Sequence, residues 1–352
     1  MRYGMIGDNP IEKAVLASGL LPTPMLESYA MVTTRALLAA ARAGLFDVLG
    51  EQASTPGELA SRCGTDPRAT EKLLNLLAGM RYVRAGRDGT YRLSRMARRW
   101  LTGPSSVRDS VMMKDLEWRW IEGLDDFLHR GEPQDVHGTM APDDWGLYQR
   151  GMRSNAGVLA PLLARRVPVP DGARDLLDIG GSHGYFSVAI CRRHPGLWAT
   201  VLDLPDAVAH AAPLLAAEGM GDRVVLRAGN ALVDDLGTEA YDVVFMMSLV
   251  HHFDDPTNRA LIRRAADALR PGGVLVIGDS IRLEPHETDL MGAFFDLYFS
   301  MTSRAGLWTY DEMADWQQAA GLVPRKPIRL PLTKGTGMQA ADKPAGGDRR
   351  MS

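Results

Sequence analysis

The chain has 352 residues, 45% of them apolar and 24% charged, with a formal net charge of −3. It is long and apolar enough to bury a large core, as two domains, and its charge gives no global attraction to nucleic acid or to an anionic membrane. Only Cys63 and Cys191 occur, which excludes a disulfide framework and a thiolate metal cluster.

Asp8 and Glu12 precede any apolar run, so the N-terminus does not read as a signal peptide. Arg35 and Arg42 interrupt the longest candidate for a membrane span. A cytoplasmic location is expected. Pro22-Thr23-Pro24 marks a break, and from Met25 to Leu49 apolar residues, among them Leu26, Tyr29, Ala36, Leu37, Ala40 and Ala41, recur at helical spacing. Thr55-Pro56 and Asp66-Pro67 open two further helices, the second through Leu73, Leu74, Leu77 and Met80. Tyr82-Val83-Arg84 and Thr90-Tyr91-Arg92-Leu93, around a turn at Arg87-Asp88-Gly89, predict a hairpin. Helix, helix, hairpin is a winged-helix module, assigned to residues 1–105.

Such a module raises a DNA-binding regulator as an alternative, because Arg84, Arg87, Arg92, Arg95, Arg98 and Arg99 cluster near the wing. The helix entering at Asp66 offers few side chains for base edges, however, and no nucleic-acid partner is expected. Residues 106–170 predict a helical connector. One apolar face carries Trp118, Trp120, Leu124 and Phe127, and another carries Trp145, Tyr148, Met152 and Leu159. Pro168-Val169-Pro170-Asp171-Gly172 reads as a linker.

From residue 171 to 342 strands and helices alternate. Strands are predicted at 174–179, 198–203, 223–228, 241–247, 272–279, 322–329 and 336–341, and helices at 184–193, 205–218, 256–269, 288–303 and 309–320. This is an α/β pattern with a mostly parallel sheet whose ligand lies at the strands' carboxyl ends. The charged, Gly-rich residues 343–352 read as a disordered tail.

The most informative stretch runs from Arg174 to Ser187. A buried strand ends in Asp178-Ile179, breaks into Gly180-Gly181-Ser182-His183-Gly184 and restarts as a helix. Glycines at 180, 181 and 184 let the backbone approach a ligand, and the free amides of the next helix point into the same crevice. Dinucleotide binding requires Gly at the first, third and sixth places of the turn, where this chain has Gly180, Ser182 and Tyr185, so NAD fits poorly. Asp203 ends the second strand, where a carboxylate accepts two ribose hydroxyls.

Asp178-Ile-Gly-Gly-Ser-His-Gly184, Asp203-Leu-Pro205, Gly229-Asn230-Ala231, Leu249-Val-His-His-Phe-Asp-Asp255 and Leu269-Arg-Pro-Gly-Gly-Val274 occur in that order. From about residue 30 to 340 the chain resembles the class I small-molecule O-methyltransferases of the plant caffeate and bacterial polyketide type. That resemblance implies a winged-helix dimerisation domain, a Rossmann-like domain that binds S-adenosylmethionine (SAM) and releases S-adenosylhomocysteine, a homodimer, and a small aromatic acceptor. It carries cofactor contacts to Asp178, Gly180, Gly181, Ser182, Gly184, Asp203, Leu204, Gly229, Asn230, Ala231 and Ser248. Asn230 stands where the family has an Asp that holds the adenine amino group.

The same resemblance aligns His251 with the general base and Asp279 with one of two acids that back it; the region Gly306-Leu307-Trp308-Thr309 lacks the second. Substrate contacts carry over to Tyr148, Met152, Asn155, His252, Phe295, Tyr298, Phe299 and Thr302. Asp255, before Pro256, reads as a helix cap. His251, His252, Asp254, Asp279 and His286 match no compact metal-ligand spacing, so no metal is expected. The His251-His252-Phe253 variant leaves C- or N-methylation, or a SAM-binding relative with other chemistry, as alternatives on the same fold.

Overall fold

In the computed structural model, residues 9–18, 20–103, 106–287, 290–330 and 333–345 are described. The chain divides into two units, Arg2–Asp115 and Leu116–Ser352, with the division inside one helix. That boundary lies near the start of the connector read from sequence, so most of residues 106–170 belong with the larger unit.

The first unit holds α1 (Pro10–Ala17), α2 (Thr23–Ser28), α3 (Ala30–Arg42), α4 (Leu45–Glu51), α5 (Pro56–Cys63) and α6 (Pro67–Gly79). The hairpin β1 (Val83–Ala85) and β2 (Tyr91–Leu93), α7 (Arg95–Leu101) and the start of α8 (Arg108–Ile121) follow. The stretch from Met25 to Leu49 is three helices rather than one. Its joints fall at Tyr29 and at Ala43-Gly44, where Gly44 turns the chain at φ 76°. Thr55 caps α5 through a reciprocal box with Glu58, and Asp66 caps α6 by accepting the Ala69 amide. Leu45, Phe46, Leu49, Leu59, Leu74, Leu77, Val83 and Leu93 close its core. Met25, Tyr29, Met31 and Val32 remain more than half exposed on α2 and α3.

The second unit continues with α9 (Leu124–Arg130), α10 (Pro142–Leu163), β3 (Asp175–Ile179), α11 (Tyr185–Arg193), β4 (Trp198–Asp203), α12 (Pro205–Ala216) and β5 (Val224–Ala228). It is completed by β6 (Tyr241–Met247), α13 (Asp255–Ala268), β7 (Leu269–Ser280), α14 (Leu290–Thr302), α15 (Tyr310–Ala319), β8 (Val323–Pro324), β9 (Ile328–Leu330) and β10 (Thr333–Asp342). The sheet order is β5-β4-β3-β6-β7-β10-β8, with β9 paired to β10. The five strands β5 to β7 are parallel, and β10 joins them antiparallel along β7.

Both faces of the sheet are buried, so its strands are near-continuous apolar runs whose alternate residues serve opposite faces. Leu177, Ile179, Val244, Met246, Leu275 and Ile277 pack with Leu261, Ile262 and Ala265 of α13 and with Met313 and Trp316 of α15. Leu176, Val201, Val243, Phe245, Val274 and Val276 pack on the other face with Val188 and Ile190 of α11 and Leu163 of α10. The chain leaves β3 for β4 on one side and returns to β6 on the other. The carboxyl end of β3 is therefore the switch point at which a crevice opens.

Three local expectations change. The strand read at 322–329 is two short pieces, because Pro327 has no amide for the ladder. Asp254 rather than Asp255 caps α13, accepting the Thr257 amide, while Asp255 accepts Trp316 Nε1 at 2.7 Å. Lys343 is anchored where a disordered tail was read, its ammonium donating to Ala266 O at 3.0 Å and Leu269 O at 2.7 Å. Residues 346–352 of that tail, like residues 1–8, lie outside the described residues.

Candidate active site

The crevice has two neighbouring parts, one at the ends of β3 and β4 and one at the ends of β6 and β7. In the first, the turn after Asp178 needs its glycines for different reasons. Gly180 and Gly184 take φ 69° and 72°. At Gly181 a Cβ would lie 2.6 Å from both the Asp178 carboxyl and Val201 Cγ1. Ser182 reaches φ 52° without being glycine, a conformation that needs external support. Its amide donates to Asp203 Oδ2 at 2.7 Å, and its hydroxyl donates to Gln149 Oε1, on α10, at 2.6 Å.

Asp178 is fully buried. One carboxylate oxygen accepts the Ser187 hydroxyl at 2.7 Å, and Oδ1 has no hydrogen-bond partner within the described residues. Burial pushes its pKa up to about 7, against the Ser187 bond that lowers it. His183, between the glycines, is buried with Nδ1 accepting the Tyr185 amide, and burial lowers its pKa to about 3. It is a neutral part of the turn.

Asp203 accepts the Leu204 amide on Oδ1 at 2.7 Å as well as that of Ser182 on Oδ2. Each carboxylate oxygen keeps lone-pair capacity for a further donor. Burial raises its pKa, and the two amides oppose that rise. Leu204 is exposed at the start of α12. Gly229 follows β5, where a Cβ would meet the Asp234 carboxylate at 2.9 Å. Asn230 is exposed, its Oδ1 accepting the Leu232 amide at 3.0 Å; Ala231 follows, half-buried. Ser248, after β6, takes φ 55° and donates its amide to Gly278 O at 2.8 Å.

In the second part, a short turn over Val250–His252 carries two histidines. Trp308 Nε1 and Asn258 Nδ2 both donate to Val250 O, at 3.0 and 2.9 Å, and fix that turn. His251 Nδ1 lies 2.8 Å from Asp279 Oδ1 and 3.0 Å from Oδ2, at the end of β7, with both side chains buried. The ring stacks on Phe299 of α14, centroids 3.8 Å apart and planes at 27°. Trp308 occupies the region where the resemblance places a second acid. The carboxylate of Glu312 beyond it is bound by the Thr309 amide at 2.7 Å and by Arg282 at 2.6 Å.

His252 lies 4.1 Å from His251, ring to ring, with Nδ1 at 3.0 Å from the Ser303 hydroxyl. Across from it His137 packs edge-on at 4.9 Å, its Nε2 bonded to the Tyr148 hydroxyl at 3.1 Å. Trp120 and Trp145 meet Tyr148 edge-on, at 6.4 and 5.9 Å. Phe295 stacks on Phe299, and Tyr298 packs against it edge-on. Among the described residues, no group of His, Cys, Asp or Glu is arranged to hold a metal ion.

The structure thus brings His251 to Asp279, and His252, Tyr148, Tyr298, Phe295 and Phe299 into one aromatic enclosure. Met152 is half-buried one turn along α10 from Tyr148, whereas Asn155 is exposed, because beyond Met152 the helix buries Ala156, Ala160 and Leu163 against the sheet domain. Thr302 is buried with its hydroxyl donated to Tyr298 O at 2.7 Å, inside its own helix. His137, Gln149 and Ser303 bond to candidate residues, to Tyr148, Ser182 and His252, and no sequence motif marks them. For Gln149 a signal existed: a polar residue on the buried stripe of an otherwise regular helix.

The family model of the O-methyltransferase domain matches residues 136–321, and that of the O-methyltransferase dimerisation domain matches residues 27–103. The chain is 28% identical to 3-hydroxy-5-methyl-1-naphthoate 3-O-methyltransferase of Streptomyces sahachiroi, over 88% of this chain and 92% of that one. It is 30% identical to 3-amino-4-hydroxybenzoate 4-O-methyltransferase of Streptomyces cremeus, over 69% of each chain. Among solved structures, human N-acetylserotonin methyltransferase in complex with SAM superposes with a TM-score of 0.80 at 18% identity, covering 97% of this chain and 100% of that one.

Proposed function

The chain belongs to the O-methyltransferase family, and from that premise we propose that it methylates a phenolic hydroxyl of a small aromatic molecule with His251 as general base. The enzyme is SAM-dependent, as the family is, and its crevice suits that cofactor on its own chemistry. Gly181 lets the turn fold tightly over Asp178 and Val201, since a side chain there would collide with both. The partnerless Oδ1 of Asp178 is a buried acceptor waiting for a donor. Asp203 keeps acceptor capacity on both oxygens for a ribose diol. When bound, SAM supplies an electrophilic methyl group for an in-line displacement.

The observation that carries the role of His251 is its bond to Asp279. With Nδ1–H donated to the carboxylate, the remaining lone pair is on Nε2, the atom that accepts a proton. A phenol of pKa about 10 is a weak nucleophile at neutral pH, and an imidazole beside it takes the proton as the oxygen reacts. Asp279 stabilises the imidazolium that forms, and the Phe299 face holds the ring in plane. Such help contributes about 10²–10⁴-fold, and positioning in a water-poor enclosure contributes more. Tyr148, Tyr298, Phe295 and Phe299 suit a planar acceptor. The two relatives act, by name, on hydroxylated aromatic rings, which supports the same acceptor class here.

The match to the dimerisation model, with Met25, Tyr29, Met31 and Val32 exposed together, supports a homodimer formed through the first unit. The test of the function is calorimetric titration of the protein and of Asp203→Ala with SAM and S-adenosylhomocysteine, followed by transfer of labelled methyl to a panel of phenols. Binding weakened by the substitution, and label recovered on oxygen, is expected. Label on carbon or nitrogen would transfer the assignment to another acceptor atom.

A further inference from the structure

We propose that His252 and His137 are specificity residues that read an uncharged hydrogen-bonding substituent next to the reacting hydroxyl, so that vicinal hydroxy- or keto-phenols are accepted and a carboxylate at that adjacent position is rejected. This rests on the assignment of His251 as the base. The observation is a run of three imidazoles at the end of the sheet, His251 to His252 at 4.1 Å and His252 to His137 at 4.9 Å, of which, among the described residues, only the first is paired with a carboxylate. A base needs one histidine. The other two are each fixed by a hydroxyl, Ser303 for His252 and Tyr148 for His137.

That anchoring decides what they recognise. A histidine bonded to a hydroxyl at one nitrogen presents the other as a donor or an acceptor according to tautomer, and so matches a hydroxyl or a carbonyl equally. Both rings stay uncharged: burial first, and then the neighbouring imidazole of His251, which disfavours a second cation beside it, bring His137 down to about 4 and His252 well below the ordinary histidine range. The charge that does collect around the enclosure is negative. Asp203 and Glu117 add to burial in raising the pKa of the Tyr148 hydroxyl, Glu117 does the same at Tyr298, and the charge of Asp135 opposes the lowering at His137. A carboxylate entering there loses its water and meets neutral rings and like charge. Protonated His251 could pair with it, but would then no longer serve as base. The spacing agrees, because oxygens on adjacent ring carbons can address two neighbouring imidazoles at once.

The test uses the full-length enzyme and three matched probes: 2,3-dihydroxynaphthalene, 2-naphthol and 3-hydroxy-2-naphthoic acid. They share one ring system and differ only in what stands beside the hydroxyl. Binding is read by calorimetry in the presence of S-adenosylhomocysteine, and methyl transfer with labelled SAM. The diol is expected to bind about 10- to 100-fold tighter than naphthol, the worth of one or two buried hydrogen bonds, and the acid weakest of the three. His252→Phe, which keeps the ring packing, and His137→Phe should each collapse the preference for the diol, and His252→Gln should restore part of it. Unchanged S-adenosylhomocysteine affinity shows that the variants are folded. Tighter binding of the acid, absence of diol binding, or a preference that survives His252→Phe would overturn the proposal. Preferential binding of the diol without methyl transfer would instead sink the reaction assigned to His251 and leave the recognition intact.

Discussion

Nδ1 of His251 faces the two carboxylate oxygens of Asp279 at 2.8 and 3.0 Å, joining the turn after β6 to the end of β7 in a buried pair. The pair sets the tautomer. In Asp279→Asn the amide can donate to Nδ1, which moves the ring proton to Nε2 and removes the acceptor that a phenol needs. Turnover should fall by about 10²–10⁴-fold in Asp279→Asn and in His251→Ala, with affinity for S-adenosylhomocysteine unchanged. Labelled-methyl assays beside calorimetry check this. Turnover retained in His251→Ala would remove it as the base.

Asp178 makes stability depend on pH in a direction opposite to the usual carboxylate. Its folded pKa is raised to about 7 from an ordinary value of 3.8, so between those values the folded chain holds a proton that the unfolded chain has lost. Its contribution is therefore harmless below about 4, grows as pH rises, and is fully destabilising above about 7, where it costs a few kcal/mol at about 1.4 kcal/mol per pKa unit. His137, lowered to about 4, works the other way and penalises the fold as pH falls below its unfolded value of 6.5. Asp178→Asn in the ligand-free protein should raise the melting temperature at pH 8 and leave it nearly unchanged at pH 4. An equal shift at both would show that the carboxyl is not proton-linked to folding.

The sheet was legible in the sequence because its strands are buried on both faces. The runs from Val243 to Met247 and from Val274 to Ile277 are apolar throughout and too short for a helix, and a strand with one face in water would alternate. The glycine turn and His251 were legible because each is a local pattern. What stayed hidden is tertiary. Tyr29 and Gly44 break what reads as one helix, since an apolar stripe records burial and not continuity. His137 lies between helices in a segment with no periodicity, and Ser303 is a small residue at a helix end. Only the fold brings them to Tyr148 and His252. Asn230 shows the converse limit: its place in the order was clear, while the use of its carbonyl by the Leu232 amide was not.

Gln149 ties the helix that carries Tyr148 to the turn that carries Ser182, and the bond between them is testable as a coupling. Ser182 holds a left-handed backbone at φ 52° that costs about 1 kcal/mol or more without support. Its support is the 2.7 Å bond to Asp203 and the 2.6 Å bond to Gln149. Gln149→Leu removes the second acceptor at similar size, and Ser182→Ala removes the donor. Each should weaken S-adenosylhomocysteine binding by about 5- to 30-fold, the worth of a buried hydrogen bond. Because both delete the same interaction, the double variant should be little worse than either single one. Losses that simply add would mean that Gln149 supports α10 by packing alone, and that the hold of the Ser182 amide on Asp203 does not pass through it.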